Sequence, residues 1–233
     1  MRTTLDTIIQ EQSPLTKEEV LREFRDVFHG LAHIGKLHIY TVKAVKLVQN
    51  HTRRVPIAIQ RDLKAKLQSM EANGVIKRVE TPTPWISNMV CVKKADNSLR
   101  ICLDPQNLNQ AVYRNHWPLQ TLEALTPKLR NAKVFTVCDA KDGFLQCALD
   151  EESSYLTTFW SPFARYRWLR LPFGVNCEPE EFSRLLGECL EGLEQIEIIA
   201  DDIIIYGAED TIKAHRQHDA AFRALLNVRV NEI

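Results

Sequence analysis

Two adjacent carboxylates, Asp201 and Asp202, interrupt the apolar run Glu197-Ile198-Ile199-Ala200-Asp201-Asp202-Ile203-Ile204-Ile205-Tyr206. The isoleucines favour strand, because a stiff β-branched side chain packs well on a pleated surface. Burying the acids without a positive partner would cost heavily, since desolvating a carboxylate is expensive. A hairpin resolves the conflict, with Ile196 to Ala200 leading up, Asp201 and Asp202 at the turn, and Ile203 to Tyr206 leading back. Two carboxylates on a rigid tip offer oxygen donors to a hard cation such as Mg²⁺. An ordinary Asp-rich turn has the same local sequence, so the acid pair needs support from elsewhere in the chain.

Three stretches upstream bear on it. Val134-Phe135-Thr136-Val137-Cys138 reads as a buried-type strand that delivers Asp139 at its end, followed at once by Asp142, Gly143 and Phe144. An acid there suits chemistry or merely caps a turn. Met89 to Lys93 and Leu99 to Leu103 read as two short strands joined by Ala95-Asp96-Asn97-Ser98, and they carry Lys93, Lys94 and Arg100. Those cations are either solvated surface charge or a basic flap that grips phosphates. Pro172-Phe173-Gly174 breaks the strand pair expected over Leu156–Phe159 and Tyr166–Leu171.

Helices are expected around these strands. Thr16-Lys17-Glu18-Glu19 is a capping box ahead of Val20, Phe24 and Val27. Ile59, Leu63, Leu67 and Met70 have helical spacing, with Asn73-Gly74 as a left-handed stop. Pro118 suits the first turn of a helix bearing Leu122 and Leu125, which Pro127 must end or kink. Phe182, Leu185, Leu186, Cys189, Leu190 and Leu193 line one face of a helix after Pro179. Asp210 can cap a last helix through His215, Phe222 and Leu225, on which His215 and His218 read as surface residues.

Bulk properties narrow the class. The 233 residues hold 30 basic and 30 acidic side chains, so any nucleic-acid surface must be local. Six cysteines without C-x-x-C spacing read as free thiols in a reducing compartment. No glycine-rich phosphate loop and no G-x-S-x-G elbow occurs. No apolar segment reaches spanning length, so no membrane association is expected and the location is expected to be intracellular.

Taken in series, Gly74-Val75-Ile76, Pro84-Trp85-Ile86-Ser87, Val92-Lys93-Lys94, Arg100-Ile101-Cys102-Leu103-Asp104-Pro105, Phe135 to Phe144, Leu169-Arg170-Leu171-Pro172-Phe173-Gly174 and Ala200-Asp201-Asp202 form a collinear pattern. It resembles the reverse transcriptases of gypsy-type LTR retrotransposons and retrovirus-like Pol polyproteins, over roughly residues 25 to 225. The resemblance implies an α+β right-hand polymerase with fingers, a split β-α-β palm and no thumb. A lead-in over residues 1–50 would precede fingers at about 51–113 and 147–176 and palm at about 114–146 and 177–233, ending before the primer grip and thumb.

It also implies roles. Asp139, Asp201 and Asp202 would be the catalytic, metal-holding acids for two Mg²⁺ ions about 4 Å apart, with Mn²⁺ able to substitute. Lys94 and Arg100 would grip the incoming triphosphate, and Asp142 would lie in the same nucleotide site. Phe144 would crowd a ribose 2′-hydroxyl, and Phe173 and Gly174 would lie beside the nascent base pair. Partners would be an RNA or DNA template–primer and deoxynucleoside triphosphates. Protease, ribonuclease H and integrase domains would belong to the parent polyprotein, located in cytoplasmic virus-like particles or the nucleus. This chain departs from the pattern at Ile199 and Ala200, at Leu145, and at Glu178 and Glu181, which replace a small and an apolar residue. Two further readings are a catalytically inactive remnant that at most binds nucleic acid, and an unrelated Mg²⁺-dependent phosphotransferase.

Overall fold

The computed structural model describes residues 16–42, 45–208 and 211–231. Thr16 and the Glu19 side chain form the reciprocal capping box of α1 (Lys17–Glu23). α2 (Ile57–Ala72) buries Leu63, Leu67 and Met70. It ends with Gly74 at φ +65°, Gly74 N–H donating to Glu71 and Val75 N–H to Met70. Those two bonds occupy carbonyls that the last helical turn leaves free.

Strands β3 (Asn88–Lys93) and β4 (Leu99–Asp104) pair antiparallel as a ribbon. A second sheet has the order β2-β8-β7, from β2 (Ile76–Arg78), β7 (Phe159–Trp160) and β8 (Arg165–Trp168). β1 (Gly35–Leu37) runs parallel to β6 (Cys147–Leu149), which brings Leu37 and Ile39 of the lead-in into the core. α3 (Gln106–Ala111) follows β4, and α5 (Glu151–Leu156) follows β6.

A fourth sheet, order β5-β10-β9, carries the acids. It comprises β5 (Val134–Asp139), β9 (Ile196–Ile199) and β10 (Asp202–Gly207). Ile203 and Ile205 turn to its inner face, where α7 (Thr211–Asn231) buries Ala214, His218, Ala221 and Leu225. The last residue of β10 must be glycine, because a Cβ at Gly207 would sit 1.8 Å from the Ala214 carbonyl oxygen. α6 (Glu178–Cys189) buries Phe182, Leu185 and Leu186 as its spacing requires.

Four expectations are corrected. Pro118 lies outside α4 (Leu122–Leu129), which starts where the Thr121 hydroxyl accepts the Ala124 N–H. Residues 151–156 are helical because the Asp150 carboxylate caps them through Ser153 N–H, so the strand expected from Leu156 starts at Phe159 and its partner ends at Trp168. The hairpin turn is Ala200–Asp201, since Asp202 already pairs with Ile199. His218 is buried: its spacing from Ala214 and Ala221 puts it on the packed stripe, and Nε2 meets the Thr136 hydroxyl at 2.8 Å. Asp210 lies outside the described residues. All six cysteines are free, with Cys147 and Cys177 buried. Among the described residues, no helix is long and apolar enough to cross a membrane.

Candidate active site

β5 alternates between half-buried and exposed residues, which puts Phe135, Val137 and Asp139 on the sheet's outer face. Asp202 is the cross-strand partner of Asp139, and Ile204 and Tyr206 continue that face opposite Val137 and Phe135. Asp201 stands at the turn before Asp202, and its carbonyl accepts the Ala140 N–H at 3.0 Å. This bond ties the hairpin tip to the end of β5. Two segments therefore bring Asp139 and Asp202 to one end of one sheet face, with Asp201 at the adjoining turn.

Their electrostatics follow from crowding. Burial pushes the Asp201 carboxyl above the usual carboxylate range, and the nearby Asp139 and Asp202 charges push it further. Among the described residues, no basic side chain is ion-paired with any of the three. Nor do three acidic, histidine or cysteine side chains converge there as a ready-made metal cage. The donor set is all oxygen, exposed, like-charged and unneutralised, which fits a hard divalent cation that would complete its shell with other oxygen ligands.

Four of the six predicted nucleotide-binding residues gather in one place. Lys94, Arg100, Asp142 and Phe173 line a single cleft of about 530 Å³. The Arg100 guanidinium stands 4.9 Å from the Phe173 ring centroid. Phe144 meets Phe173 edge-on at 5.2 Å and Phe182 at 5.4 Å. Gly143 permits this packing, because a Cβ there would lie 2.8 Å from the Phe182 ring. Asp142 adopts left-handed φ +50° and starts the 3₁₀ turn that carries Phe144. Phe144 and Gly174 do not line the cleft themselves, and none of the three acids does.

Sequence reasoning missed Lys66, Lys141 and Arg170, which line the same cleft. Lys141 had a signal, standing two residues beyond Asp139. Lys66 had none, because only the packing of α2 brings it there. Glu178 was noted only as a departure from the family pattern. Its carboxylate accepts the Gly174 N–H at 2.8 Å. Burial raises its carboxyl to about 7 against the pull of the Gly174 and Val175 amides, and the Asp201 charge adds to the rise. The two neighbouring acids are neutralised where they are buried: Glu181 by Arg184 at 3.0 Å, and Glu180 by Arg114.

Residues 81–231 match the family model described as reverse transcriptase (RNA-dependent DNA polymerase). The chain belongs to the reverse transcriptase family. Among curated relatives, the retrovirus-related Pol polyprotein from transposon 297 of Drosophila melanogaster is 29% identical over 215 residues, covering 84% of this chain and 20% of the relative. The enzymatic polyprotein of figwort mosaic virus is 33% identical over 108 residues, covering 46% of this chain and 16% of that protein. The chain thus spans a fifth or less of these relatives' length.

The fold agrees with that of solved reverse transcriptases. A foamy viral protease–reverse transcriptase in complex with RNA/DNA hybrid superposes with TM-score 0.78 at 16% identity, covering 94% of this chain and 30% of that one. The same enzyme in complex with double-stranded DNA gives 0.75 at 16% identity, covering 95% and 47%. The α+β fold is therefore that of reverse transcriptase fingers and palm. Members of the family generally use divalent metal ions.

Proposed function

We propose that this chain carries the nucleotidyl-transfer centre of an RNA-directed DNA polymerase within a retroelement Pol polyprotein. The observation that carries this reading is the register pairing of Asp139 with Asp202 beside Asp201, next to a basic cleft. Residues 51–113 and 147–176 would form the fingers, and 114–146 and 177–233 the palm. The template–primer would lie along the outer face of β5, β9 and β10, with its 3′ end at the acids.

Asp139, Asp201 and Asp202 would hold two Mg²⁺ ions, or Mn²⁺ in their place. Bound there, the ions would supply charge neutralisation at the primer hydroxyl and the leaving pyrophosphate. Lys94 and Arg100 would bind the triphosphate oxygens, a task that needs strong donors in a partly dry cleft. Lys141 reaches the same cleft and adds a third cation. Phe144, backed by Phe173 and Phe182, would present a rigid ring edge to the sugar and exclude a 2′-hydroxyl. Rate acceleration then comes from positioning and fixed charge.

The test is primer extension on an RNA template with Mg²⁺ and deoxynucleotides, using the folded chain and an Asp201→Asn/Asp202→Asn control. Extension that disappears in the control supports the assignment. Equal extension in both would remove these acids from the chemistry.

A further inference from the structure

The peptide plane joining Phe173 to Gly174 is pinned from both sides. Its carbonyl, on Phe173, accepts the Leu103 N–H of β4 at 2.9 Å. Its N–H, on Gly174, donates to the Glu178 carboxylate of α6 at 2.8 Å. The next carbonyl, on Gly174, accepts the Asn109 side-chain amide of α3 at 2.9 Å. Gly174 adopts φ +112°, and a Cβ there would lie 2.2 Å from the Leu103 carbonyl oxygen, so the loop is pressed flat against β4. One of these pins, Glu178, is a departure from the family pattern, in which the resemblance implies a small residue.

A peptide plane held at its acceptor alone can still rock about that bond. Held at donor and acceptor together, it fixes the direction in which the Phe173 side chain leaves the backbone. That ring stands between Arg100 and Phe144, two residues of the proposed nucleotide site. We infer that Glu178 is a positioning residue of this reverse transcriptase: by accepting the Gly174 N–H it fixes the peptide plane that aims Phe173 into the nucleotide site. It touches no substrate atom and acts through Phe173. The inference rests on the polymerase reading for its consequence, while the pinned plane stands on geometry alone.

Two readouts on the full chain test it. The first is hydrogen exchange at the Gly174 amide, which needs no activity. Glu178→Ala should speed exchange roughly tenfold, as expected for losing one hydrogen bond. Glu178→Gln keeps an acceptor oxygen at the same reach and should restore most of the protection. The second is the deoxynucleotide KM in primer extension, expected to rise roughly tenfold in Glu178→Ala with kcat within about twofold, and to recover in Glu178→Gln. Glu178→Ser, which also cannot reach the amide, replaces the alanine variant if that one fails to fold. Unchanged Gly174 exchange in the alanine or serine variant overturns the inference, as does a glutamine variant as impaired as alanine. If the wild-type chain extends no primer, the polymerase reading fails, and the exchange measurement still decides whether Glu178 holds the plane.

Discussion

Asp139 and Asp202 are directly opposed across β5 and β10, both on the exposed face of the sheet. Like charges directly opposite on one sheet face destabilise it, and here Asp201 adds a third at the adjoining turn. The arrangement works against stability and in favour of cation binding. Asp201→Asn should therefore raise the melting temperature while lowering primer extension at least about a hundredfold. Thermal melts and extension assays on one preparation read both, and a variant that melts lower would show that Asp201 has a structural role.

Divalent cations should stabilise the folded chain by linkage. At roughly ten times its dissociation constant, Mg²⁺ adds about 1.4 kcal/mol, which in a chain of this size raises the melting temperature by about 3–6 °C. The shift should vanish in Asp139→Asn/Asp202→Asn. A shift of equal size in that variant would place the ion elsewhere.

Phe144 packs edge-on against Phe173 and Phe182 and is the proposed sugar gate. Phe144→Ala should raise ribonucleotide incorporation relative to deoxynucleotide. The ratio of the two kcat/KM values measures it, and an unchanged ratio removes Phe144 from the gate.

Ala200 adopts φ +52° at the hairpin turn, where an L side chain is strained. Ala200→Gly relieves that strain at the cost of greater unfolded-chain entropy, for a net gain of about 0.5–1 kcal/mol. Chemical denaturation should show a higher midpoint at unchanged slope.

Glu178 gives stability a definite pH dependence. Its carboxyl rises from 4.5 to about 7 in the folded chain. A raised acid means that the folded state holds the proton more tightly, so its contribution is full below 4.5 and is lost as pH rises through about 7. Relative to Glu178→Gln, the wild-type chain should lose stability across that window and stay level below it. Urea midpoints at pH 4, 5, 6, 7 and 8 measure the difference.

Much of this was legible in the order of residues, because the decisive forces were local. The Thr16 capping box, the Gly74 stop of α2 and the apolar stripe of α6 each depend on groups within a few residues of one another, and each formed as its spacing requires. The same locality misled at Leu156, where Asp150 caps a helix, and at Pro118, where the Thr121 hydroxyl starts the helix later. His218 looked like surface because it is polar, yet its helical spacing and the Thr136 hydroxyl, 82 residues away in the chain, keep it buried.

By itself, the sequence determined the acid hairpin with β5, the basic ribbon and the family, since β-branched runs, carboxylates and motif order are written residue by residue. Only the tertiary structure decided which carboxylates face one another and which cations share a cleft. It alone turned Glu178 from an oddity beside Pro179 into the acceptor for Gly174. Strand register and helix docking are set by burying apolar surface between segments far apart in the chain, and no local spacing encodes that.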